Sequence, residues 1–456
     1  MRKAVLAAVV AAAAAAGVVA AMLLSSGGGD NASPAPRAPS RAATSATTGV
    51  TGASASTSTG QASSTAPTTP AQRSATARVD TRGLRLPPPP SRHGRKTRTF
   101  LVGTVDDALA QVSPHFAQAQ VDVSRDAGFD AAAVSATWRR GQRRPPGSLL
   151  RVLRNVAHAT AGARMKLAVV VWHGFGRDTP RTPAERADFA AYAAALVRAL
   201  PRVRYVVVGN EPNLSTFWKP QFGAGGRDAA APAYADLLAR SYDAIKAARP
   251  DVRVLGGALS PRGADRPHGT RPTHSPTAFI RDLGDAYRAS GREKPLMDAF
   301  AFHPYMLASR DSPATPHPEN TTITLADYPK LVALLREAFH GTAQPGERLP
   351  IFYTEFGVQT RVPAPKRRFY LDLDSPARTD AVPFGVQAAY YRRALELAYC
   401  QPTVRGLFVF HTFDEPGLDG WQSGLYFPDR TPKPSLPAFK RAVADLRNGR
   451  FPRCRR

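Results

Sequence analysis

Glu211 and Glu355 each stand where an apolar run stops. The first follows Tyr205–Val208 within RYVVVGNEPN, and the second lies in PIFYTEFG, Pro350 to Gly357. Runs of this kind suit strands buried on both faces, as in a parallel sheet covered by helices. Pro212 cannot donate to a ladder, so the first strand must end there. One glutamate in such a place could simply cap the following segment. Two, each closing a buried strand, are harder to assign to capping. Carboxyls brought to one site can divide proton donation and charge stabilisation between them.

The elements that must position this pair are read from the alternation of apolar runs and amphipathic segments. The runs are Phe100–Val105, Ala131–Trp138, Leu167–Trp172, Tyr205–Val208, Val252–Leu259, Met297–Tyr305, Pro350–Phe356 and Val404–Phe410. Helical patterns fall around Phe116–Ala127, Ser148–Ala159, Pro183–Leu200, Tyr234–Ala248, Pro276–Ala289, Leu325–Phe339, Gly385–Ala398 and Leu436–Leu446. Strand and helix alternate through the whole segment, which predicts an α/β fold, a (β/α)8 TIM barrel. The competing doubly wound sheet would carry a glycine-rich phosphate loop after its first strand, and Gly103-Thr104-Val105-Asp106 is not one. A barrel gathers its strand ends at one mouth. There the third strand brings His173, the fourth Asn210 and Glu211, and the sixth His303 and Tyr305. The seventh brings Glu355, and the eighth brings His411, Phe413, Asp414 and Glu415, with Trp421 in its loop.

Residues 1–26 place Arg2 and Lys3 before an apolar stretch, Ala4 to Leu24, which fits a signal peptide or an amino-terminal membrane anchor. Residues 27–96 are rich in Ser, Thr, Ala and Pro, too poor in large apolar groups to fold, and are expected to form a disordered linker. Residues 97–456 hold the barrel. The expectation is therefore an extracellular or cell-surface protein, monomeric, with a membrane tether through its amino terminus if that segment is retained. The net charge of +26 comes mainly from scattered arginines, with no aromatic-interleaved basic stripe, so nucleic acid is not an expected partner. The two cysteines, Cys400 and Cys454, are compatible with one disulfide in an exported chain and equally with two free thiols. No metal-ligand spacing is present, and neither metal nor cofactor is expected.

With these residues in place, the segment from about 99 to 447 resembles the clan A glycoside hydrolases, the (β/α)8 families that include the cellulase-like family 5 and the xylosidase-like family 39. Asn210-Glu211-Pro212 is similar to the clan's acid/base motif at strand four, and Glu355 in Tyr353-Thr354-Glu355-Phe356-Gly357 to its nucleophile at strand seven. His303-Pro304-Tyr305 resembles the strand-six motif whose tyrosine bonds the nucleophile. Gly424-Leu425-Tyr426 and Asp429 to Pro434 are similar to the segment entering the last helix. One departure is the lack of an arginine inside the second strand; Arg139 follows it. The resemblance implies a retaining hydrolase that cleaves a β-linked polysaccharide or oligosaccharide by double displacement. Glu355 would attack the anomeric carbon while Glu211 protonates the leaving oxygen. It further implies that Asn210 bonds the sugar 2-hydroxyl and that His173, His303 and Tyr305 line the subsite. Trp421, Phe413 and Trp218 are the aromatic candidates for stacking on sugar, Trp218 equally for loop packing. A barrel that binds carbohydrate with little or no turnover is the alternative, and a surface adhesin whose basic charge binds acidic polymers is a third reading.

Overall fold

The computed structural model describes residues 100–451 apart from Ala377. The expected signal or anchor segment, the linker and Cys454 lie outside the described residues.

Eight parallel strands close into a barrel in sequence order. They are β1 Leu101–Val105, β2 Ala131–Thr137, β3 Lys166–Trp172, β4 Val203–Val208, β5 Arg253–Leu259, β6 Ala299–Phe302, β7 Ile351–Phe356 and β8 Val404–Phe410. Closure comes from β1 pairing with β8, with Val105 opposite Phe410. A helix follows each strand: α1 Pro114–Ala127, α2 Gly147–Gly162, α3 Pro183–Ala199, α4 Ala230–Ala248, α5 Pro276–Ala289, α6 Tyr328–Phe339, α7 Phe384–Cys400 and α8 Leu436–Arg447. A single helical turn at Ala364–Arg367 precedes α7.

Alternation along the strands explains the two layers of core. Val102, Val134, Val169, Val206 and Val208 point outward and pack against the helices. Val105, Ala133, Ala168, Val207, Phe352 and Phe408 fill the interior. Small residues on one strand make room for large ones on the next. A Cβ on Gly103 would stand 2.3 Å from the Phe408 ring, so glycine there lets that ring occupy the barrel centre.

Helix starts are marked by the expected caps. Ser113 and Ser275 accept from the first turns of α1 and α5, and Thr182 with Glu185 forms a capping box on α3. Several boundaries differ from the sequence expectation, two of them for a reason the sequence carries. The sixth strand ends at Phe302 rather than Tyr305, since the chain turns at Pro304, which cannot donate to a ladder. Leu325–Asp327 is a separate 3-10 turn, and α6 starts at Tyr328, with Pro329 in its first turn.

Candidate active site

At the end of β4 the backbone turns sharply to aim Glu211. Gly209 has φ +83°, and a Cβ there would approach the Tyr234 ring to 3.1 Å. Glu211 itself has φ +39°, a conformation that costs a side-chain-bearing residue free energy and is held only by its surroundings. Its N–H donates to the Ala258 carbonyl at 2.8 Å and its carbonyl accepts from Leu214 N–H at 2.9 Å. The side chain is buried and reaches toward β6 and β7.

His303 joins the two glutamates. Its Nδ1 lies 3.1 Å from Glu211 Oε1 and 3.5 Å from Glu355 Oε2. The two carboxyl oxygens are therefore held within the sum of those distances. Both carboxyls can therefore reach one bound group. Tyr305 Oη donates to Glu355 Oε2 at 3.0 Å.

The electrostatics follow from burial and crowding. Burial pushes Glu355 up to about 7, the charge of Glu211 adds to this, and His303 and Tyr305 oppose it. Burial works against the charged form of His303, but the charge of Glu355 and the hydrogen bond and charge of Glu211 together hold it above its usual value. Arg262, after β5, is buried enough to be lowered from its usual value, while the charge of Glu211 holds it up.

Asn210, Glu355 and Phe413 line the cavity at the barrel mouth together with Trp172, Asp107 and Glu415. Beneath it, Asn210, His303, Thr354 and Glu355 line a smaller apolar pocket. Trp421 packs on Tyr305 with ring centroids 5.1 Å apart and edge-on to Phe410 at 5.5 Å. These residues therefore come together. His173 does not join them: it is 1% exposed, lies with Nε2 2.6 Å from the Phe217 carbonyl, and packs edge-on against Trp218. Burial takes it down to about 4, so it is neutral and donates that hydrogen bond. Trp218 is 1% exposed and packs edge-on against Tyr234, as a loop-packing residue does. Arg139 is exposed, and the polar side chains touching Glu355 are His303 and Tyr305.

Other mouth residues stand out in the structure. Asp106 accepts from Thr412 and Phe413 N–H at 3.0 and 3.1 Å, tying β1 to the β8 loop, and burial raises it to about 7. Asp107 accepts from Ser135 N–H at 2.6 Å and is raised by burial. The only sequence signal for this pair was two acids at the close of the first apolar run. Glu415 accepts from Trp421 N–H at 2.8 Å and is pushed by burial to about 8. Asp414 and Lys433 form an ion pair at 2.7 Å with both side chains wholly buried. Lys433 also donates to Thr360 Oγ1 at 2.8 Å and the Gln422 carbonyl at 2.9 Å, which locks the β8 loop to the entrance of α8.

No family model matches the chain, and no curated protein matches it. Solved structures do. The chain is similar to GH5_18 from Streptomyces cattleya in complex with GlcNAc, 16% identical with a TM-score of 0.51, over 77% of this chain and 81% of that one. A variant of the same GH5_18 in complex with Manb1-4GlcNAc is 18% identical, with TM-score 0.51 and the same coverage of 77% and 81%. The apo structure of a beta-glucosidase, 1317, is 17% identical with a TM-score of 0.50, over 78% of this chain and all of that one. The likeness is one of fold, the (β/α)8 barrel.

Proposed function

We propose that the chain is a retaining O-glycoside hydrolase acting on a β-linked polysaccharide or oligosaccharide. The observation that carries this reading is the single nitrogen, His303 Nδ1, that reaches both Glu211 at 3.1 Å and Glu355 at 3.5 Å. It brings two strand-end carboxyls to one place, as two acids acting on one glycosidic bond require. Glu355 attacks the anomeric carbon as Glu211 gives its proton to the departing oxygen. Water then enters, Glu211 takes its proton, and the bond to Glu355 breaks with the original configuration restored. Tyr305 donates to Glu355 alone, which favours the ionised form the attack requires.

Asn210, beside the acid and lining both cavities, would bond a sugar hydroxyl, and Phe413 would offer an apolar face at the mouth; Trp421, half-buried against Tyr305, is the second aromatic candidate. The GH5_18 structures hold GlcNAc and Manb1-4GlcNAc, which supports a β-linked saccharide as the ligand class. The apolar amino-terminal stretch supports action outside the cell or at its surface. The test is turnover on a panel of aryl β-glycosides and β-linked polysaccharides. Saccharide binding without turnover across the panel would instead mark a carbohydrate-binding barrel.

A further inference from the structure

A second cluster of titratable side chains lies away from the mouth, where the loop entering α4 meets the one entering α5. Asp228 Oδ1 accepts from Ala230 and Ala231 N–H at 2.6 and 2.9 Å, at the start of α4. Its side chain is 8% exposed, and its Oδ2 is buried without a hydrogen-bond donor. Asp282, on α5, meets Asp228 carboxyl to carboxyl, and burial together with that contact raises Asp282 to about 7. His274, 3% exposed and just before α5, brings Nε2 to 3.4 Å from Asp228 Oδ1 and 3.0 Å from the Gln221 carbonyl. One ligating atom from each residue lies within 4.8 Å of the others.

Carboxyls that face each other this closely hold either a shared proton or a positive charge between them. Nearby acids in the same groove obtain it from arginine: Asp236 from Arg186 and Arg240, and Asp243 from Arg292. Asp228 and Asp282 have no lysine or arginine partner among the described residues, even though the whole chain carries a net charge of +26. Ligands held at about 2.0–2.2 Å from one ion stand up to about 4.4 Å apart, so closing this cluster asks for a few tenths of an ångström. Two carboxylates with one imidazole suit zinc or manganese better than calcium or magnesium, which take all-oxygen shells. The groove between α4 and α5, about 1560 Å3 and lined by both aspartates, gives an entry path.

We propose that Asp228, His274 and Asp282 bind one divalent transition-metal ion. The ion would join the start of α4 to α5 and brace the loop that carries the acid glutamate. His274 N–H donates to the Asn213 carbonyl at 2.9 Å, and Asn213 Nδ2 donates back to the His274 carbonyl at 3.0 Å. Asn213 stands two residues beyond Glu211.

The test uses the full chain, stripped with a chelator and then equilibrated separately with zinc, manganese, calcium or magnesium. Bound metal is counted by elemental analysis, and the thermal midpoint is followed in parallel. The expected result is one zinc or manganese per chain with a raised midpoint. Asp282→Asn should keep the circular dichroism spectrum and weaken the dissociation constant by at least about 100-fold, beyond the loss usual for an outer-shell partner. A shared proton in place of the ion predicts the reverse: no stoichiometric metal, a midpoint indifferent to all four cations, and Asp282→Asn as stable as the unaltered protein at pH 8, its amide replacing the proton. That result overturns the proposal, as does undiminished zinc binding by Asp282→Asn. Should that variant fail to fold, the metal content of the unaltered chain decides.

Discussion

Tyr305→Phe removes one oxygen from the site and leaves the ring that packs against Trp421 in place. The lost contact is the 3.0 Å hydrogen bond to Glu355 Oε2, in surroundings where Tyr305 and Glu355 are largely shielded from water. A hydrogen bond to a charged group contributes about 1.5–3 kcal/mol, so kcat/KM on an aryl β-glycoside should fall about 10- to 150-fold. The pH profile separates a chemical role from a structural one. Tyr305 lowers the Glu355 pKa. Removing its hydroxyl raises that pKa further, and the acidic limb of kcat/KM should move to higher pH by about one to two units. Steady-state rates across pH for both proteins measure this. A variant within twofold of the parent, with an unshifted acidic limb, would refute the placing of Glu355 as the ionised partner.

Two further outcomes concern stability. Lys433→Met leaves Asp414 charged and unpaired in a wholly buried site, so denaturant unfolding should show a loss of about 3–5 kcal/mol, much of it restored by adding Asp414→Leu. Stability should also fall as pH rises above 6.5. Glu355 and Asp106, raised to about 7, and Glu415, raised to about 8, favour the fold when protonated, so their contribution is full only below the ordinary carboxyl range and is lost by the time pH has risen through 7 to 8. Buried His173 and His411, lowered to about 4 and about 3, favour the fold when neutral; their contribution is complete above pH 6.5 and does not offset that fall. Thermal midpoints from pH 6.5 to 8.5 check this, and a midpoint that climbs across that range would contradict it.

The barrel was legible because each buried strand is an apolar run, and most helices carry a 3.6-residue pattern; α3, alanine-rich and buried on most sides, shows almost none. Glu211 and Glu355 were legible for the same reason, standing where those runs stop. The direction of a strand-end side chain was not. His173 follows β3 directly and Asn210 stands two residues beyond β4, yet it is the His173 ring that turns away, to the Phe217 carbonyl and Trp218 instead of the cavity. That choice is made by the loop after β4, packed from a distant part of the chain. His303 and Tyr305 were assigned to a strand that ends at Phe302. They still reach the site because His303 N–H keeps its bond to the Leu259 carbonyl at 3.0 Å. Asp228, His274 and Asp282 have no motif spacing, since two loops bring them together.

The claim that Glu355 is the nucleophile and Glu211 the acid is tested most directly by azide rescue of the two alanine variants, with the anomeric configuration read by proton NMR. In Glu211→Ala, azide should attack the glycosyl-enzyme on Glu355, giving a β-glycosyl azide from a β-glycoside. In Glu355→Ala, azide should fill the vacated space and displace the leaving group directly, giving the α-glycosyl azide. Reversed configurations, or near-normal hydrolysis by Glu355→Ala, would contradict the account.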